Sequence, residues 1–192
     1  MKNNLKLVIL IFLGILVLAS VFFVYRQKQN METKNNAQEL SLLIKKIQEK
    51  IQLIDLEKSY QLKTLNNEKF FGQMTDGGGQ LIGYFKDGKI YKIIERLGLS
   101  YGVKTYEYYF FNGQLISVNE KEEDFPDINN TGTLDYTKVE MAFQGYYYFD
   151  NEKLINSKTT GQKRFSENDK TDIEAFLLKI AKENVDLLTK AE

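Results

Sequence analysis

Cysteine, histidine and tryptophan are absent from this chain, and proline occurs once, at Pro126. Without cysteine there can be no disulfide, no thiol nucleophile and no zinc-thiolate site, though the absence identifies no redox compartment. Without histidine the commonest general base and the commonest transition-metal ligand are also missing. Any serine nucleophile would have to rely on lysine or a carboxylate, and no Gly-x-Ser-x-Gly occurs. Lys, Asn, Ile, Tyr and Phe are plentiful, so the missing types read as compositional bias. An excess of one charge is lacking too, with 26 basic and 26 acidic residues. Residues 1–30 hold Lys2, Lys6, Arg26 and Lys28 and no acid, which leaves residues 31–192 with a net charge of −4. A mildly acidic chain with no basic block does not present a nucleic-acid surface. An enzyme, a metal centre and a cofactor are therefore not expected.

What is present in quantity is apolar sequence. Residues 7–25 form an unbroken run of 19, from Leu7 to Tyr25, bounded by Lys6 and Arg26. At about 1.5 Å per residue a helix of that length nearly spans the ~30 Å core of a bilayer. Its apolar character is continuous around the helix, unlike the single stripe of a surface helix. A cleaved signal peptide is the rival reading. The run is longer than a usual signal h-region, no small-x-small cleavage site follows, and the exit is the bulky Val21-Phe22-Phe23-Val24-Tyr25. Leu18-Ala19-Ser20 is followed by Val21, so lipoprotein processing is excluded. The expected layout is a short cytoplasmic head (residues 1–6), a transmembrane helix (7–25), a juxtamembrane linker (26–36) and an extracytoplasmic domain (37–192). Positive charge is nearly balanced across the run; a short head leading a large domain favours the N-terminus inside.

Beyond residue 36 the periodicity predicts a helix over 37–65. Leu40, Ile44, Ile47, Ile51 and Ile54 follow a 4-3-4-3 spacing with charged residues between them. Such a stripe either lies on a sheet or pairs with a second copy as a stem; fewer than four clean heptads favour the sheet. A hairpin sheet is expected over 69–160, beginning with a short strand from Lys69 to Met74. A second amphipathic helix is expected over 171–189, its start marked by the capping-box pattern Thr171-Asp172-Ile173-Glu174.

Within the sheet region one pattern recurs: Tyr84-Phe85-Lys86-Asp87-Gly88-Lys89-Ile90, Tyr109-Phe110-Phe111-Asn112-Gly113-Gln114-Leu115 and Tyr148-Phe149-Asp150-Asn151-Glu152-Lys153-Leu154. Asp-Gly and Asn-Gly supply the positive φ that a two-residue type I′ turn needs at both central positions. The third copy has Glu152 in the glycine position, which predicts a longer or different turn. Two-residue turns pair Phe85 with Ile90 and Phe110 with Leu115, and the looser third copy would place Phe149 near Leu154. The opposite side then pairs Tyr84 with Tyr91 and Tyr109 with Ile116, with Tyr148 near Ile155. Both faces are thus apolar, so helices cover both or one aromatic face is a contact surface. Tyr84, Tyr91, Tyr109 and Tyr148 are the candidate binding residues, offering rigid rings with polar tips to a glycan, peptide or partner strand.

Other features invite chemistry less strongly. Residues 120–137 read as a long acidic loop, and Glu122 or Asp124 could serve a hydrolase only if two carboxylates met at the right separation. Asp127, Asn129, Thr131, Gly132 and Asp135 match calcium-loop positions, but Lys138 stands where the bidentate glutamate belongs. Asp76-Gly77-Gly78-Gly79 lacks the lysine and hydroxyl of a phosphate loop and reads as a flexible turn.

The three hairpin stretches, Gly83 through Ile90, Glu107 through Glu122 and Tyr146 through Ile155, resemble a group of uncharacterised bacterial exported or lipid-anchored proteins built on Tyr-Phe-x-(Asp/Asn)-Gly hairpins. They are also similar to membrane occupation and recognition nexus repeats, without that repeat's trailing glycines or equal spacing. A type IV pilin shares the order of apolar helix, amphipathic helix and sheet, but the processing site is absent. The resemblance implies a fold and carries no activity. The sequence thus predicts an α+β protein: a transmembrane helix, an amphipathic helix, an antiparallel meander of about six or seven strands, and a C-terminal amphipathic helix. The function expected is a non-enzymatic binding or scaffold module of the bacterial cell envelope. Its partners would be the bilayer through residues 7–25 and either a second copy or an envelope protein or glycan. The alternatives are a self-associating structural subunit and, behind it, a hydrolase using loop carboxylates.

Overall fold

The computed structural model describes the backbone of residues 2–163 and 172–190, and all side chains there except those of residues 2–25, 30, 32, 71 and 130. Helix α1 runs from Lys2 to Leu56. Two compact units divide the chain, Met1–Lys45 and Lys46–Glu192. In the first the backbone is helical, including the expected linker 26–36. No helix among the described residues is long and apolar enough to cross a membrane. The side chains of residues 7–25, where the span is expected, lie outside that description.

The second unit is an antiparallel sheet in strict sequence order: β1 (Gln61–Asn66), β2 (Gly79–Lys86), β3 (Lys89–Leu99), β4 (Gly102–Phe111), β5 (Gln114–Asp124), β6 (Glu140–Asp150) and β7 (Lys153–Gly161). Seven strands and flanking helices make this the expected α+β meander. Three boundaries differ from the sequence reading. The first helix stops at Leu56 rather than 65, and residues 61–66 form β1. The stop is built by Glu57, whose carboxylate accepts from the backbone N–H groups of Lys58 and Ser59, both at 2.8 Å, and so turns the chain away. The strand expected from Lys69 to Met74 is instead a short helix, α2 (Asn67–Phe71), closed by Gly72 at φ 74°. The acidic loop expected from residue 120 is strand as far as Asp124, because alternate residues there face a buried sheet surface.

All three hairpins use the same two-residue turn. The central residues Asp87 and Gly88, Asn112 and Gly113, and Asn151 and Glu152 all have positive φ, so Glu152 occupies the left-handed conformation at φ 60° without glycine's freedom. The expected longer third turn is therefore corrected. Phe85 pairs with Ile90, Phe110 with Leu115 and Phe149 with Leu154, as the turns require. One residue further out each hairpin has a bulge, so Tyr84 faces Lys92, Tyr109 faces Ser117 and Tyr148 faces Asn156. The expected partners Tyr91, Ile116 and Ile155 are the extra residues of those bulges. A two-residue turn fixes the first pair and leaves the outer register free to absorb one more residue.

Helices cover both faces. On one, Ile47 and Ile54 of α1 are buried and Ile51 is half-buried, while the Lys50 ammonium sits 4.1 Å from the Phe111 ring centre. Within this unit the isoleucine stripe is thus consumed by the fold, as the helix-on-sheet reading expects. On the other face α3 (Ile173–Lys190) places Leu177, Ala181 and Leu188 against Leu81, Ile93, Tyr108, Val118 and Phe149. Asp172 caps α3, its Oδ1 accepting from the N–H groups of Glu174 at 3.0 Å and Ala175 at 3.4 Å. Glu174 reaches away from the helix to accept from the Leu154 N–H at 2.6 Å, so the expected reciprocal box is not formed by it; Thr171 lies outside the described residues. The Asp76–Gly79 segment is a fitted turn rather than a loose one. Gly77 N–H donates to Gly98 O at 3.1 Å and Gly98 N–H to Gly78 O at 2.7 Å, an approach that leaves no room for a Cβ on either Gly77 or Gly98.

Candidate functional site

Three of the four candidate tyrosines, Tyr84, Tyr109 and Tyr148, share one cross-strand row with Lys92 and Ser117 between them, and Tyr91 is the bulge residue next to Lys92. Tyr84 and Tyr91 both reach Tyr60, which follows the end of α1; the Tyr60–Tyr84 rings meet edge-on at 5.9 Å and the Tyr60–Tyr91 rings lie tilted at 5.7 Å. Beside them opens a cleft of about 320 Å³ lined by Ile54, Asp55, Glu57, Tyr60, Tyr84 and Lys92. Its rim is ionic. Glu57 pairs with Lys86, whose hydrogen bond is the main cause holding the Glu57 carboxyl down at about 2. Burial raises the Tyr60 hydroxyl above its ordinary value, and the Glu57 charge adds to that.

Tyr109 and Tyr148 lie further along the row, Tyr109 bonded to the Lys92 and Asp55 that also line the cleft. Tyr109 is 2% exposed, and its hydroxyl meets Lys92 Nζ at 2.9 Å, Asp55 Oδ2 at 3.2 Å and Glu107 Oε2 at 3.3 Å. Lys92 also donates to Asp55 Oδ1 at 2.9 Å. Burial pulls the Lys92 ammonium down, but the hydrogen bonds to Tyr109 and Asp55 outweigh it and leave the group above its ordinary value. This network ties α1 to β3 and β4. Tyr148 is half-buried and accepts from Gln48 Nε2 at 3.1 Å. Neither ring joins the Tyr60 group, and Tyr60 itself carries no sequence signal that would have singled it out.

A second polar constellation occupies the α3 face, where the sequence reading placed a solvated loop. Glu120 is fully buried. It accepts from the Tyr106 hydroxyl at 3.0 Å, the Tyr147 hydroxyl at 3.0 Å and the Lys163 ammonium at 2.7 and 2.9 Å, with Lys104 Nζ 3.4 Å away. Burial pushes its carboxyl up, yet the hydrogen bond from Lys163 and the charge of Lys104 prevail and the net shift is downward. Lys104 also reaches Glu122 at 3.1 Å. Next along the same row Glu95 accepts from Tyr108 at 3.0 Å and Asn184 at 2.9 Å; burial dominates there and raises its carboxyl. The alternation Val118-x-Glu120-x-Glu122 was the available signal, since it continues the inward face of β5. The carboxylates proposed for hydrolysis thus differ in setting: Glu122 is buried beside Lys104, and Asp124 stands half-buried at the strand end.

In the loop after β5, Asp127 closes its own turn. Its carboxylate accepts from the N–H groups of Thr131 at 2.9 Å and Gly132 at 2.9 Å. Asp135 accepts from Thr137 N–H at 3.0 Å and pairs with Lys138 at 2.9 Å. Lys138, at the position that a calcium loop gives to glutamate, is thus the counter-ion of Asp135. Among the described residues no group of three or more acidic side chains is placed to hold a metal ion.

Comparison of this chain with protein-family models, with curated proteins and with solved structures finds no match in any of the three.

Proposed function

We propose that the protein is a non-enzymatic binding or scaffold module of the bacterial cell envelope. Residues 7–25 anchor it in the cytoplasmic membrane, with the N-terminus inside and the sheet domain outside. The reading rests on one observation above the others. The Glu120 and Glu95 carboxylates are buried and engaged with protein partners, whereas Tyr60 and Tyr84 line an open cleft together with the charged Asp55, Glu57 and Lys92. Tyrosine at such a cleft provides contact area at low entropic cost together with a hydrogen-bonding tip, which suits a glycan or a peptide better than it suits bond cleavage. The 19-residue apolar run supports the anchor by its length.

Two measurements test the reading. Isolated envelope glycan fragments and envelope peptides are titrated against the full chain in detergent, with Tyr84→Ala as the comparison. Binding that weakens about tenfold in the variant supports the cleft, and retained binding removes it. Protease added to intact cells should digest the domain and spare the head; a protected domain reverses the assigned orientation.

A further inference from the structure

The sheet ends at β1, and among the described residues no other strand pairs with its outer edge. A cleft of about 560 Å³ lies along that edge, between β1, α2 and the last turn of α3. Its apolar wall is Leu62, Leu65 and Leu187, and its charged residues are Lys63, Lys69 and Lys190, with no acidic side chain among those that line it. Lys63 already donates to the Leu188 carbonyl at 3.3 Å. Lys69 and Lys190 are exposed and form no ion pair among the described residues. Leu62 is 60% exposed, a large apolar side chain left on an edge strand.

From this combination we infer that the β1 edge is a docking surface for an extended acidic peptide, which adds to the sheet as an eighth strand. The backbone of β1 supplies the ladder. Leu62 and Leu187 take apolar side chains, and Lys69 and Lys190 take carboxylates. Six residues of β1 accommodate a peptide segment of about six, or roughly 20 Å. Charge decides between this occupant and a second copy of the chain. Edge lysines are a common device against sheet-to-sheet pairing. Two copies joined through β1 about a two-fold axis would bring both sets of these lysines together. The same charges that repel a second copy attract an acidic strand. This surface shares only Leu62 with the tyrosine cleft, and the inference stands whether or not that cleft binds a ligand.

The test uses the full chain in detergent micelles and two fluorescein-labelled hexapeptides, one alternating glutamate with valine and one alternating lysine with valine. The glutamate peptide is expected to bind about tenfold tighter than its lysine counterpart and to weaken as salt is added. Amide exchange over residues 61–66 should slow when it binds. The double variant Lys69→Glu, Lys190→Glu alters two exposed side chains and should reverse the preference; Lys69→Arg with Lys190→Arg should retain it. The inference is overturned by equal binding of the two peptides, by no binding, by binding unchanged in the glutamate double variant, or by exchange that slows elsewhere and not in β1. A chain that dimerises through β1 before any peptide is added overturns it as well.

Discussion

Glu95 and Glu120 flank Tyr106 in one row of the sheet, yet neutralising them should have opposite consequences. Glu120→Gln keeps one acceptor oxygen but turns an amide toward hydroxyl and ammonium donors, and it leaves Lys163 without a charged partner at that site. Breaking a buried ion pair costs about 3–5 kcal/mol. The lower end applies, because the Lys163 side chain is 26% exposed and can rehydrate while Lys104 keeps Glu122. A loss of about 3 kcal/mol at pH 7 follows. Glu95→Gln retains an acceptor for Tyr108 and Asn184 and removes a charge that burial disfavours. Its effect should be under about 1 kcal/mol and stabilising. The pH dependence separates the two further. The folded Glu120 value is depressed, so its contribution is present above about pH 4.3, the ordinary glutamate value, and is lost as pH falls through the folded value. The Glu120→Gln deficit should therefore shrink on acidification. The folded Glu95 value is raised, so its contribution is complete below about pH 4.3 and is lost as pH rises through the folded value. The advantage of Glu95→Gln should accordingly grow from acid toward neutral pH. Urea unfolding at both pH values, followed by tyrosine near-ultraviolet dichroism, measures each term. A Glu120→Gln deficit below about 1 kcal/mol at pH 7, or one that does not shrink in acid, refutes the argument.

Other perturbations probe the frame. Glu152→Gly relieves a left-handed residue at an exposed turn and should stabilise by about 0.5–1 kcal/mol after the entropy of glycine is subtracted; the urea midpoint should rise. Ile47→Ala opens a cavity beneath α1 and should cost about 2–4 kcal/mol, measured as a lowered midpoint. Were that residue part of an open stem instead, the variant would change the molecular mass in light scattering and leave the midpoint alone. Gly98→Ala drives a methyl group into the Gly77 carbonyl oxygen and should cost more than about 2 kcal/mol; thermal unfolding reads this directly. Tyr109→Phe removes a hydroxyl shared by Lys92, Asp55 and Glu107, and a loss of about 1–2 kcal/mol is expected from the unmet partners.

The hairpins were legible because their instructions are local. Asp87-Gly88 and Asn112-Gly113 specify two turns, and each turn sets the first pair beside it. Alternation then put apolar residues on both faces, which called for cover on both. The isoleucine spacing over 47–54 and the periodicity after residue 172 supplied two helices to provide it. Local rules also erred locally. Glycine preference misjudged the turn at Glu152, where the flanking strands hold a glutamate in the conformation of its glycine counterparts. A stripe that weakened after Ile54 was extended too far, across the turn that Glu57 builds and into β1. Acidic composition hid the inward alternation of Glu120 and Glu122. What tertiary structure alone decided was which charged and aromatic groups would meet. Glu120 is buried because Lys163 arrives from 43 residues away, and Glu95 because Asn184 arrives from 89. Tyr60 gathers Tyr84 and Tyr91 only once α1 has ended and β1 has joined the sheet. Turn chemistry and periodicity act within a few residues of the chain. The fate of an ionisable group depends on its solvent and its counter-ion, and here both are set by strands and a helix far away in sequence.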